Sequence, residues 1–399
     1  MSRRARHRLA FSVSLTVVVL ALASFAWSPA DLLAQRGRGG RGGPGGQDPA
    51  ADPFVGLTTN GTPVPGLFRV AATGVTTEPV RLAAERFLAG LTGEQRDRST
   101  FAADDLEWRL WNNVHRYARQ GVSFREMTAA QRDLGYGLMR ASLSAKGFTQ
   151  SRDVMRLNGY LAERLGNTQD YGDDLYFVTV MGTPSATEPW GWQLDGHHLI
   201  LNYFVLGDQV VMTPTFMGSE PVTVSEGPLA GTAVLQDEQN LGLAFMQSLS
   251  SDQQIRATLA TAKTGNNALA QAFRDNLVLD YAGLPARDLT PAQRDALLGV
   301  VAQFVGQMDD GHARVKMDEV RRHLDDTWFA WIGEHGADAV FYYRIQSPVI
   351  LVEFDHQTPV ALPGPRVPGR IHVHAVVRTP NGNDYGKDLL RQHYARYPH

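Results

Sequence analysis

A chain of 399 residues, 43% hydrophobic and 20% charged, holds enough apolar material for one large globular domain or two ordinary ones. It contains no cysteine, which excludes disulfides, thiolate nucleophiles and thiolate metal sites, so a metal here has to be held by His, Asp, Glu, amide oxygens or Met. Seven arginines against one acid, Asp31, give residues 1–47 a net charge of +6, so the remainder of the −3 chain carries −9, and a body that acidic gives no hint of a nucleic-acid partner.

Residues 1–34 read as a secretory signal peptide. Arg3, Arg4, Arg6 and Arg8 form a basic start, Leu9 to Phe25 an apolar run, and small residues follow with cleavage expected after Ala26 or Ala30. The competing reading is an uncleaved anchor, but the run is at the short edge of what spans a bilayer. The expectation is an exported protein, periplasmic or extracellular, with no membrane association beyond that signal. Residues 35–74 are rich in Gly, Arg and Pro, most densely over Gln35–Pro53, and read as a disordered linker. An RGG-like repeat can bind RNA; behind an export signal a spacer is the simpler reading. Residues 75–399 are expected to form a single domain.

Within that domain the apolar spacing predicts helix from Thr77 to about Lys146. Thr92–Gln95, Thr128–Gln131 and Thr290–Gln293 each have the outline of a capping box, the last with Pro291 at the first helical position. Trp108, Trp111 and His115 fall on one helical face, for which core packing is the default. Strands are expected over Leu175–Met181, over Pro189–Val205 as a hairpin turning at Asp195-Gly196, and over Asp208–Pro214, an antiparallel meander. Gln236–Gln307 returns to helix, with Ala-rich stretches at 257–262 and 268–273. Val340–Gln346, Val349–His356 and Ile371–Arg378 read as strands, the last two separated by a Pro/Gly loop at 359–369, and Lys387–Tyr394 as a final helix. Helices and strands come in blocks, so the fold class is α+β, an antiparallel β-sheet core with segregated helical blocks.

The chemistry centres on histidines. In His372-Val373-His374 the two imidazoles point to one face of a strand, about 6–7 Å apart, a spacing that can share a metal ion. His197 and His198 sit in the predicted hairpin, and His356 ends a strand after Glu353-Phe354-Asp355. If these strands are neighbours, His372, His374, His356 and one of His197 and His198 form a nitrogen-rich centre for Zn, Cu or Fe. Glu353 or Asp195 would complete the shell, orient an imidazole or act as general base on bound water. The plainer readings are a histidine capping a turn, a strand-end residue, and polar side chains on a solvated face. Arg344 is a candidate for holding a substrate carboxylate, and Trp192, sharing a face with Trp190, for a ligand platform; covering the sheet and filling the core are the alternatives. Asp309–Arg314 is either an anion site or a charged turn closing a helix. There is no phosphate loop, Gly-x-Ser-x-Gly elbow, His-Glu-x-x-His helix or EF-hand loop.

Four stretches together carry a family resemblance: Trp190–Leu199, Thr213–Gly218, Tyr342–Pro348, and His372-Val373-His374 running on to Asn383–Gly386. Over roughly residues 75–395 the chain resembles the bacterial family catalogued as a domain of unknown function, DUF3500. That family comes with no established reaction, so the resemblance supplies no catalytic residues. Three functions stay open from the residues. The first is an exported metalloenzyme, hydrolytic or oxidative, acting on a small molecule or a polymer end. The second is a non-enzymatic exported protein gripping a ligand with Trp and Arg. The third is a structural envelope protein.

Overall fold

The computed structural model describes residues 52–397; the expected signal peptide and the linker up to residue 51 lie outside the described residues. These residues form a 13-stranded mixed sheet. Its first seven strands are β1 (Thr100–Phe101), β2 (Val122–Ser123), β3 (Tyr176–Met181), β4 (Trp190–Gly196), β5 (Leu199–Leu206), β6 (Gln209–Val211) and β7 (Thr215–Ser219). The other six are β8 (Thr258–Ala260), β9 (Leu284–Pro285), β10 (Trp328–Gly333), β11 (Phe341–Gln346), β12 (Leu351–His356) and β13 (Val373–Arg378).

The sheet runs β1-β3-β4-β5-β7-β13-β12-β11-β10-β8, with β2, β6 and β9 beside β3, β5 and β10. Pairing is antiparallel except at the short outer pairs β1·β3 and β8·β10. It is therefore two meanders, β3-β4-β5 and β10-β11-β12-β13, joined edge to edge through β7. At the joint Ser219 pairs with Val373 and Gly218 with His374. The fold is α+β, as the blocked order of elements implies.

The two faces of the sheet are covered differently. On β13, Val373, Ala375 and Val377 join the larger apolar core, built with helices Glu78–Gly90, Ala129–Ser142, Ala145–Leu165, Gln236–Ser248 and Pro291–Val305. The opposite face, with Val376, Ile200, Phe204 and Phe216, packs against Trp108, Trp111, Tyr385, Leu389 and Leu390. The three expected capping boxes form, each Thr side chain taking the N–H of the residue three on and each Gln reaching back, and Ser250 supplies a fourth. No helix of the described residues is long and apolar enough to cross a membrane.

Several expectations change: the helix read from Thr77 to about Lys146 is broken by β1, a 3₁₀ turn and β2, and that over Gln236–Gln307 by β8 and β9. The linker was read to residue 74, but Leu57 and Phe68 are buried in the second core, so the body begins near residue 54. Trp108 and Trp111 lie on and just after a short 3₁₀ turn, Leu106–Arg109; His115 leaves them for a different neighbourhood. The Ala-rich 268–273 stretch is not helical. Its backbone is taken by side chains from the sheet: Glu353 accepts the Leu269 and Ala270 N–H groups, Asp355 those of Asn267 and Ala268, and Arg378 donates to the Ala270 and Gln271 carbonyls. Those bonds replace the i→i−4 ladder, so tertiary contacts override propensity.

Candidate metal centre

The centre is assembled from a hairpin turn and the start of β13. Gly196 pairs with Leu199, so β4 and β5 are joined by a two-residue turn, His197-His198. The sequence placed the turn two residues earlier, at Asp195-Gly196. Gly196 serves close packing instead: a Cβ there would lie 2.2 Å from Cδ1 of the Tyr176 ring, so glycine is kept within the strand. His198 takes the left-handed conformation, φ 63°. Its N–H donates to the Asn113 carbonyl at 3.2 Å and its carbonyl accepts the Gly218 N–H at 2.8 Å, which aims the ring across β7 at β13.

There it meets the pair. The Nε2 atoms of His372 and His374 are 3.1 Å apart, and each is 3.3 Å from Nε2 of His198. All three residues are buried. A ring nitrogen carries either one proton or one lone pair in its plane, so three mutually facing nitrogens can make at most one hydrogen bond among them. The other contacts are left unsatisfied in the protein interior unless a cation fills the common point. Tetrahedral ligands about 2.0–2.1 Å from a zinc ion stand about 3.3 Å apart, which is the spacing found.

The protonation states suit this. Burial, then the neighbouring imidazoles, holds His198 and His374 well below the ordinary histidine pKa. His372 is also lowered by burial, with Glu220 and the Thr358 carbonyl opposing. Neutral imidazole is the metal-binding form. His372 Nδ1 donates to the Thr358 carbonyl at 2.9 Å, with Glu220 Oε2 at 3.5 Å, and this tautomer leaves its Nε2 lone pair facing the centre. Glu220 is itself fixed by the N–H groups of Val360, Ala361 and Leu362. His374 packs edge-on to Phe216, and its Nδ1 is buried with no hydrogen-bond partner among the described residues. Gly218 gives the rings room: a Cβ there would stand 3.1 Å from His374 Cδ2 and 3.3 Å from His198 Cδ2.

His197 is beside the centre rather than in it. Its ring stacks on His198 with centroids 3.9 Å apart, while its Nδ1 is bonded to Asn158 Oδ1 at 2.8 Å. Tyr171 and His115 continue the aromatic wall, at 5.3 and 5.5 Å from His197.

His356 is not a ligand. Asp355, not His356, is opposite His374, and alternation turns the imidazole to the helix-covered face. There its Nδ1 accepts the Phe341 N–H and its Nε2 bonds Gln239 Oε1. Glu353, proposed from sequence as base or ligand, is spent on the Leu269 and Ala270 N–H groups and the Tyr342 hydroxyl. Asp195 is paired with Arg119 at 2.9 Å, and burial raises its pKa to about 6 despite that partner. Arg119 also donates to the Asn112 and Val114 carbonyls, so Asp195 steadies the segment whose Asn113 carbonyl holds His198. Arg344 is buried and donates to the Asp280 carbonyl. Trp192 is core, its Nε1 bonded to Ser142 Oγ, and so no platform. Asp309 does come just after a helix, Pro291–Val305, but Gly311 closes none: Asp309 caps the start of Asp310–Arg322.

Gly218, Glu220, Thr358, Asn158 and Tyr171 are the neighbours that sequence reasoning did not single out, and His115 was read only as core packing beside Trp108 and Trp111. Gly218 lay inside the quoted Thr213–Gly218 stretch, and the others left no local signal. The model of the DUF3500 family, described as a protein of unknown function, matches residues 73–387. Neither a curated protein nor a solved structure matches the chain.

Proposed function

Since the chain belongs to the DUF3500 family, a family of unknown function, we propose a function from the site alone: His198, His372 and His374 hold one transition-metal ion and leave a coordination position for water or substrate. The observation that carries this is the meeting of three buried, neutral imidazoles through Nε2 at 3.1–3.3 Å. Three histidines with an open position are a catalytic rather than a structural zinc arrangement, since structural sites close all four. The metal would acidify a bound water to near neutrality and polarise a substrate oxygen, which is hydrolytic or hydration chemistry. The ligand spacing favours zinc; copper in the same nitrogens would give an oxidative enzyme. The protein's own part is to fix the His372 tautomer through Thr358 and Glu220, and to hold His198 by the Asn113 and Gly218 backbone. Export to the periplasm or beyond is part of the proposal and rests on residues 1–34.

Elemental analysis of the purified protein tests it. The expected result is about one metal ion per chain, lost in His198→Ala, His372→Ala and His374→Ala and retained in His356→Ala. A wild-type protein that holds no transition metal, and takes none up after chelator dialysis and re-addition, overturns the reading.

A further inference from the structure

Where the two apolar cores approach each other beside β6, a cleft of about 550 Å³ opens between helix Asp310–Arg322, β6 and the segment 66–73. None of the three clustered histidines lines it. It falls within the range of small-molecule sites, roughly 300–1,000 Å³.

The lining has two kinds of surface. Met212, Phe304, Met308, Ile350, Val377 and Leu389 make an apolar wall. Polar groups interrupt it. Asn383 is 3% exposed and lines the cleft; its Oδ1 accepts the Leu389 N–H at 3.4 Å, and its NH₂ group donates to no described residue. That amide nitrogen is therefore open to an acceptor on a molecule seated in the cleft. The charges are also unbalanced. Lys316 is paired with Glu319, and Asp318 with Arg321. Arg69 and Arg322, which also line the cleft, have no carboxylate partner among the described residues.

We propose that this cleft binds a small amphiphilic acid: an apolar body along the wall, a carboxylate met by the Arg69 and Arg322 guanidinia, and an oxygen acceptor for the Asn383 amide. Apolar surface gives such a ligand most of its affinity, and the guanidinia select the anion. The site is separate from the metal centre and stands whether or not a metal binds.

Calorimetry with decanoate, decanol and decyltrimethylammonium as probes tests it. Decanoate is expected to bind one per chain, and about tenfold more tightly than decanol, the worth of one charge-assisted contact. Val315→Trp, at a cleft-lining position 36% exposed on the helix surface, should abolish binding without changing the melting temperature. Arg69→Ser with Arg322→Ser, both surface changes, should bring decanoate down to the level of decanol. Absence of saturable decanoate binding overturns the proposal. So does binding that survives Val315→Trp, or equal affinity for the cationic probe.

Discussion

At residue 198 the backbone stands at φ 63°, in the left-handed region that favours glycine. A two-residue hairpin turn with φ positive at its second position ordinarily carries Gly there. An imidazole at this point is held against local preference by the Asn113 and Gly218 hydrogen bonds and by stacking on His197. The substitution order should therefore invert. His198→Gly is expected to be more stable than His198→Ala by about 1 kcal/mol, because only the glycine relieves the left-handed strain. Urea unfolding of the two variants, both of them without the metal-binding ring, measures the difference. Equal stabilities, or Ala above Gly, would mean the turn is not held in this conformation. The pair His372 and His374 was legible from sequence because period-2 alternation is local. Which of His197 and His198 joins them was not, since the turn's position depends on Tyr176 packing against Gly196 from another strand.

Strand β12 shows how one residue of parity decides a role. Glu353 and Asp355 face the irregular 267–270 segment, and His356 faces the helices. Both carboxylates were visible in sequence; their targets, backbone N–H groups more than 80 residues away, were not. For His356, burial lowers the pKa to about 3. Between about 3 and 6.5 the unfolded chain takes a proton there that the folded chain refuses. The contribution of neutral His356 to stability is then complete above pH 6.5 and is lost as pH falls toward 3. His356→Leu orphans the Phe341 N–H and Gln239, and should be clearly less stable than wild type at pH 7. Because it lacks the titration, its deficit should narrow by roughly 2–3 kcal/mol between pH 7 and 4.5. Denaturant melts at the two pH values check this; a deficit independent of pH would show that the imidazole titrates normally.

At the scale of the molecule, α+β character and the first meander could be read from the order of elements, because hairpin-connected strands are neighbours in sequence as well as in space; the second was read only as strands over 340–356 and 371–378, with β10 missed. The joint between the meanders could not be read. It pairs Ser219 with Val373, and no local pattern announces a partner that far along the chain. The candidate centre sits on this joint, with His198 from one meander and His372 and His374 from the other. His198 and His372 are 174 positions apart. An ion shared by them would close a loop of that length, and closing long loops removes the most freedom from an unfolded chain. In a protein without a single cysteine, such an ion would tie distant parts of the described residues together where no disulfide can. Such a tether contains no disulfide to reduce, and it surrenders to chelators. Mass action sets its worth at about 2.7 kcal/mol when free metal stands at a hundred times the dissociation constant. EDTA should accordingly lower the melting temperature of the wild type, while reductant leaves it alone and His374→Ala responds to neither.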